Sequence, residues 1–122
     1  MSTDTRQVVC AVADVPPSGV LRTQIKGRAW VVVRGPGNTF HALRDLCPHE
    51  GAPLSAGNCM HKIVSDRPGH YDRDPATIVL RCPWHGYEFD VSNGRCVVEP
   101  NRIAVRHMEL EVDGDEIIVA SR

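Results

Sequence analysis

The sequence predicts an all-β domain, a small antiparallel barrel or sandwich, on three observations. Short runs rich in β-branched residues repeat along the chain with period-2 alternation, Gly- and Pro-containing turn signals separate them, and no segment keeps a helical apolar period over three turns. Taken in order, "RQVVCAVADV" (Arg6–Val15), "LRTQIK" (Leu21–Lys26) and "RAWVVVR" (Arg28–Arg34) read as strands, divided by "PPSG" and "KG". "GPGN" (Gly35–Asn38) is a turn, and "TFHAL" is the returning strand of a hairpin. Near the carboxyl end "MELEV" and "EIIVA" flank "DGD" (Asp113–Asp115), which predicts a second hairpin. The apolar phase changes between Val105 and Met108, as at a β-bulge or a strand boundary. Trp30, in "AWVVV", belongs to the core.

A chain of 122 residues fits one domain with one modest core. Its formal net charge of −1 lacks the basic excess that a nucleic-acid binder usually carries. "MSTDTRQ" has no apolar stretch of the secretory kind, and the longest apolar runs fall far short of the ~20 residues of a membrane helix. The expected location is therefore the cytoplasm, with no membrane and no nucleic-acid partner. There, five cysteines are expected to be metal ligands or buried thiols rather than disulfides.

Residues 44–100 depart from the strand scheme: they hold four of the five cysteines, six of the nine prolines and four of the six histidines. Within them "SDRPGHYDRDPA" (Ser65–Ala76) is polar and proline-interrupted, and reads as an exposed loop. Two stretches carry the chemistry, "DLCPHEG" and "RCPWHGYEFD". Cys47 and His49 are separated by one residue, Cys82 and His85 by two. Each pair lies in a turn stiffened by proline after the cysteine and freed by a glycine, Gly51 or Gly86, that permits φ > 0 or a close backbone approach. Zinc is the metal that two Cys and two His generically bind, but zinc knuckles are usually homogeneous, whereas here each turn mixes one sulfur with one nitrogen. A [2Fe–2S] cluster with differently ligated irons suits that mixture.

"CPHEGAPL" and "RCPWHGYEFDVSNGRC" resemble the two cluster-binding loops of Rieske proteins, C-x-H and C-x-x-H, and the likeness extends over roughly residues 8–120. The resemblance implies a Rieske-type antiparallel β fold with an inserted cluster-binding subdomain, about residues 44–97, in a single domain, 1–122. It implies one [2Fe–2S] cluster per chain, with Cys47 and Cys82 on one iron and His49 and His85 on the other, more exposed iron. Trp84 and Tyr87 would shield the cluster from water, and Glu88–Val91 would begin the strand that returns to the basal sheet.

Two departures from the family pattern matter. The 32 residues between His49 and Cys82 exceed the usual spacing, so about 59–76 reads as an insertion, for which loop closure costs little. High-potential respiratory members carry an extra cysteine in each loop, joined as a disulfide; here Ala52 or its neighbours and Trp84 stand in those places. The serine and tyrosine that donate to sulfur in those members correspond to Tyr87 and Phe89, and Phe89 has no donor. Fewer donors leave the reduced cluster less stabilised, so a low potential is expected, near the bottom of the Rieske range of about −150 to +300 mV.

The remaining candidates are assigned structural roles. Cys59 and His61, "CMH", repeat the C-x-H spacing without the Pro–Gly frame and read as a packed thiol and a solvated loop histidine. Cys10 and Cys96 read as core residues, and His41, His70 and His107 as surface or strand residues without a paired ligand. The function implied is that of a Rieske ferredoxin, not an enzyme: a one-electron carrier from a flavin-dependent or other reductase to an oxygenase. Alternatives are the small subunit of a larger reductase of the nitrite-reductase kind, and a zinc-stabilised module without redox activity. An oxygenase subunit is not expected, because the residues after Arg102 are too few for a 2-His-1-carboxylate site.

Overall fold

The computed structural model describes residues 7–16, 19–48, 51, 53–83 and 86–119. Nine strands form: β1 (Val8–Ala11), β2 (Leu21–Ile25), β3 (Arg28–Arg34), β4 (Phe40–Arg44), β5 (Asn58–Arg67), β6 (His70–Arg81), β7 (Glu88–Asp90), β8 (His107–Asp113) and β9 (Glu116–Val119). Among the described residues the only helical turns are three short 3₁₀ turns. Six strands make one antiparallel sheet in the order β1-β9-β8-β4-β3-β2, and β5-β6-β7 make a second. The second sheet falls, in sequence, between β4 and β8, which pair with each other.

The six-stranded sheet curls until its outer strands β1 and β2 come into contact, giving a nearly closed barrel. Arg34 bridges the region near this closure. Its Nε and Nη2 donate to the Val15 carbonyl at 3.2 and 3.1 Å, and Nη2 also to Val12 at 3.2 Å. Its guanidinium lies 4.9 Å from the centre of the Phe40 ring. Val15, Ile25, Trp30, Val32, Phe40, Ala42, Leu110 and Ile117 form one buried core. Val31, Val33 and Leu43, alternating with these on β3 and β4, face a second core with Leu54, Leu80, Phe89, Val91 and Cys96. The middle of β3 is therefore buried on both faces, which is why "WVVV" is apolar without alternation.

Several expectations hold. Lys26 (φ 51°) and Gly27 (φ 79°) make the two-residue connection of β2 to β3, both in the left-handed region that such hairpins need. β8 and β9 form the predicted carboxyl-terminal hairpin, and the phase change after Val105 is a strand boundary, with β8 starting at His107.

Others are corrected. The first strand ends at Ala11, because Val12–Asp14 turn into a 3₁₀ helix whose Asp14 Oδ2 accepts the Ala11 N–H at 3.2 Å. Ser65–Ala76 is not a loop but the outer part of a long β5–β6 hairpin turning at Pro68–Gly69. Its described side chains are exposed or half-exposed, so no core face imposes apolar alternation on the sequence. Pro75 is accommodated by a break in register: His61 pairs with Ile78 and Lys62 with Asp74, which leaves Pro75–Thr77 extra on β6. There Asp74 accepts the Ala76 N–H and the Thr77 hydroxyl, both at 2.9 Å, and these bonds hold its carboxyl below the usual range. Finally, Glu88–Asp90 pairs with β6 in the three-stranded sheet and does not return to the barrel. The chain rejoins the barrel at β8, which pairs with β4.

Candidate metal centre

The first loop leaves β4 at Arg44 and ends in the 3₁₀ turn Leu54–Ala56; the second joins β6 to β7. Cys47 and Cys82, one from each loop, are 1% and 2% exposed and belong to the same buried core. Neither is in a disulfide. The loops are tight. The Gly51 N–H donates to the Cys47 carbonyl at 2.8 Å, and the Cys82 N–H to the Tyr87 carbonyl at 2.7 Å. Gly51 (φ 74°) and Gly86 (φ 68°) adopt the left-handed conformation foreseen for them.

Gly57 brings the two loops together. A Cβ there would overlap the carbonyl oxygen of Arg81, the residue before Cys82, so only glycine permits this approach. Tyr87 is half-buried against the same core as the two cysteines. His49, His85, Trp84 and Ala52 lie outside the described residues. Among the described residues no three His, Cys, Asp or Glu side chains converge on a metal position.

The other sulfurs are packed. Cys59 is buried in the core of the two loop cysteines, and burial pushes its thiol up to about 12, so it stays protonated at neutral pH. Cys96 is fully buried, and Cys10 packs partly buried against the barrel core.

The histidines need correction. His61 is not a solvated loop residue; it lies on β5 opposite Ile78, with its Nδ1 buried. His41 and His107, expected to stand alone, are partners. Nδ1 of His41 and Nε2 of His107 lie 3.0 Å apart across β4 and β8, and His41 is buried. The Thr39 hydroxyl donates to the Pro36 carbonyl at 2.9 Å, so it can only accept from His41 Nε2, 3.1 Å away. That fixes a proton on His41 Nε2 and leaves its Nδ1 to accept from His107. Burial holds both rings below the ordinary histidine value, and His107 lowers His41 further, against the opposing pull of Glu109 and Asp90. His70 Nε2 lies 3.8 Å from Asp72 at the exposed hairpin tip.

Asp45 is the residue near the site that sequence reasoning missed. It is buried, two positions before Cys47, and its Oδ1 accepts the Ser55 N–H at 2.7 Å. The available signal was a lone carboxylate between the apolar run of β4 and the first cysteine.

Comparison with known proteins places these loops in context. Ferredoxin CarAc of Metapseudomonas resinovorans is 32% identical over 112 residues, covering 92% of this chain and 90% of the relative. The solved ferredoxin of carbazole 1,9a-dioxygenase from Nocardioides aromaticivorans IC177 is 27% identical, with a TM-score of 0.71 over 98% of this chain and all of that one. A Mycobacterium tuberculosis structure described as an NADH-dependent nitrite reductase small subunit shares the fold, with a TM-score of 0.73 at 22% identity over 98% of each chain. The sequence profile of the Rieske [2Fe-2S] domain matches residues 5–109, and this chain belongs to that family.

Proposed function

We propose that the protein is a one-electron carrier of the Rieske ferredoxin type. Membership of the family implies a [2Fe–2S] cluster, and the donor set suits one. Two buried thiols from separate loops share one core, and each is followed within three residues by a histidine. In this reading Cys47 and Cys82 hold one iron of a single cluster, and His49 and His85 hold the other. Trp84 and Tyr87 keep water from it. The cluster-binding subdomain spans about residues 44–97 of a single domain, with 59–76 as its insertion.

The observation that carries the reading is the burial of Cys47 and Cys82, one from each loop, in a common core. When bound, the cluster supplies a one-electron couple. The chain's own work is to hold it in stiff turns, exclude water and present one edge to partners, with no acid, base or nucleophile required. Its similarity over nearly its whole length to ferredoxins, one of them from a dioxygenase system, supports a reductase as donor and an oxygenase as acceptor. A cytoplasmic location fits a chain in which no described helix is long and apolar enough to cross a membrane.

The test is electron paramagnetic resonance of the dithionite-reduced protein, with iron and labile sulfide assays. A reddish-brown protein with a reducible iron–sulfur signal is expected, lost in Cys47→Ala and kept in Cys59→Ala. Colourless protein with stoichiometric zinc and no sulfide overturns the reading. A concentration-independent complex with a large catalytic chain would instead make it a reductase subunit.

A further inference from the structure

We infer that Asp45 is the positioning residue of the first cluster loop and a buried anion that lowers the potential of the cluster. This rests on the cluster reading above.

The geometry is a three-way tie. The Asp45 N–H donates to the Ala29 carbonyl at 3.1 Å, and Arg44 Nε donates to the same carbonyl at 3.2 Å, fixing the start of the loop to β3. Asp45 Oδ1 reaches across the loop to the Ser55 N–H at its far end, 2.7 Å away. Oδ2 lies 3.0 Å from Nε of Arg22 on β2, out of line with the N–H bond, so this contact is an ion pair rather than a second aligned hydrogen bond. One carboxylate thus closes residues 46–54, which contain Cys47 and His49, into a ring and pins that ring to the barrel.

The cost of the arrangement argues that it has a task. The Asp45 side chain is 1% exposed while that of Arg22 is 66% exposed, so the cation is largely solvated and only partly offsets a desolvated anion. An apolar residue would fill the site without that penalty, but could not accept from Ser55. A buried negative charge two residues from Cys47 also opposes the arrival of an electron. Position and charge therefore act on the same loop, and substitutions can separate them.

The experiment compares wild type with Asp45→Ala, Asp45→Asn and Arg22→Gln as intact, cluster-loaded chains. It reads amide exchange of the peptide containing Ser55, the paramagnetic signal of the reduced protein and the midpoint potential. Asp45→Ala is expected to speed Ser55 exchange about tenfold or more, the loss of a bond to a charged acceptor, and to shift the g values. Asp45→Asn keeps an oxygen acceptor, so the g values stay near wild type, while the potential rises because the anion is gone. Arg22→Gln removes the cation and moves the potential downward.

Wild-type exchange and g values in Asp45→Ala overturn the inference, as do shifts of the same sign in Asp45→Asn and Arg22→Gln. If Asp45→Ala does not fold, the opposed shifts of the other two variants decide. A wild type without any cluster refutes the underlying reading instead, and Ser55 exchange in Asp45→Ala against wild type still decides whether the carboxylate clamps the loop.

Discussion

The barrel and the excursion inserted into it are both made of antiparallel strands, yet they are held by different means. The barrel's interior is packed by side chains drawn from strands throughout the chain, and its sheet curls nearly shut, with Arg34 bonded across the approach. The excursion has three strands, of which β7 is only three residues long; its loop end shares the second core with β3 and β4, and discrete contacts, Gly57 against Arg81 and Asp45 against Ser55, set the loops on it. Its far end carries Ile63 and Tyr71 in solvent, at 50% and 67% exposure. Dispersed packing makes a scaffold, while point contacts make a site whose geometry single residues can set.

The largest expected effect separates the two cores. Phe89→Ala and Phe40→Ala each remove a buried ring, one from the core shared with the loops and one from the barrel, and each should cost about 3–5 kcal/mol in denaturant unfolding. Only Phe89→Ala is expected to lower iron content in molecules that remain folded; equal iron loss in both would erase the distinction. Next comes Gly57→Ala, which forces the two loops apart at Arg81. A cost of about 1–3 kcal/mol is expected, with a visible spectrum changed more than the melting temperature would suggest.

A smaller effect tests the seam between the regions, where His41 and His107 meet. Both rings titrate below their unfolded values. Below the ordinary histidine value of about 6.5, the unfolded chain therefore binds protons more readily than the folded one. The pair's contribution is complete above that pH and declines as pH falls toward the lowered folded values, with a slope of at most about 1.4 kcal/mol per pH unit per ring. Melting temperatures from pH 7.5 to 5 should fall in wild type and less steeply in His41→Gln. The smallest effect belongs to the hairpin tip, where Tyr71→Ser should change stability by less than about 0.5 kcal/mol and leave iron content alone.

What could be read in the sequence follows the same division. Barrel strands announce themselves through apolar alternation and turn residues, because one or both faces are buried. The cluster loops announce themselves through chemistry, since sulfur, imidazole, proline and glycine at fixed spacing have few other uses. The hairpin tip gave no strand signal because nothing buries it, and its prolines mimic a loop. The His41–His107 pair joins positions 66 residues apart, and only the pairing of β4 with β8 shows that they meet. Asp45 was hidden for a similar reason: its partners, Arg22 and Ser55, are distant in sequence, and an aspartate before a turn is unremarkable by itself.

The burial of β3 on both sides limits how the gene can change length. Removing one codon within Trp30–Val33 would exchange the tenants of the two cores at every later position of the strand, so that side chains fitted to one core meet the space of the other. Such an edit is tolerable only in pairs or with a compensating bulge. The outer hairpin has no such parity to keep, and there the chain is free to lengthen or shorten between relatives.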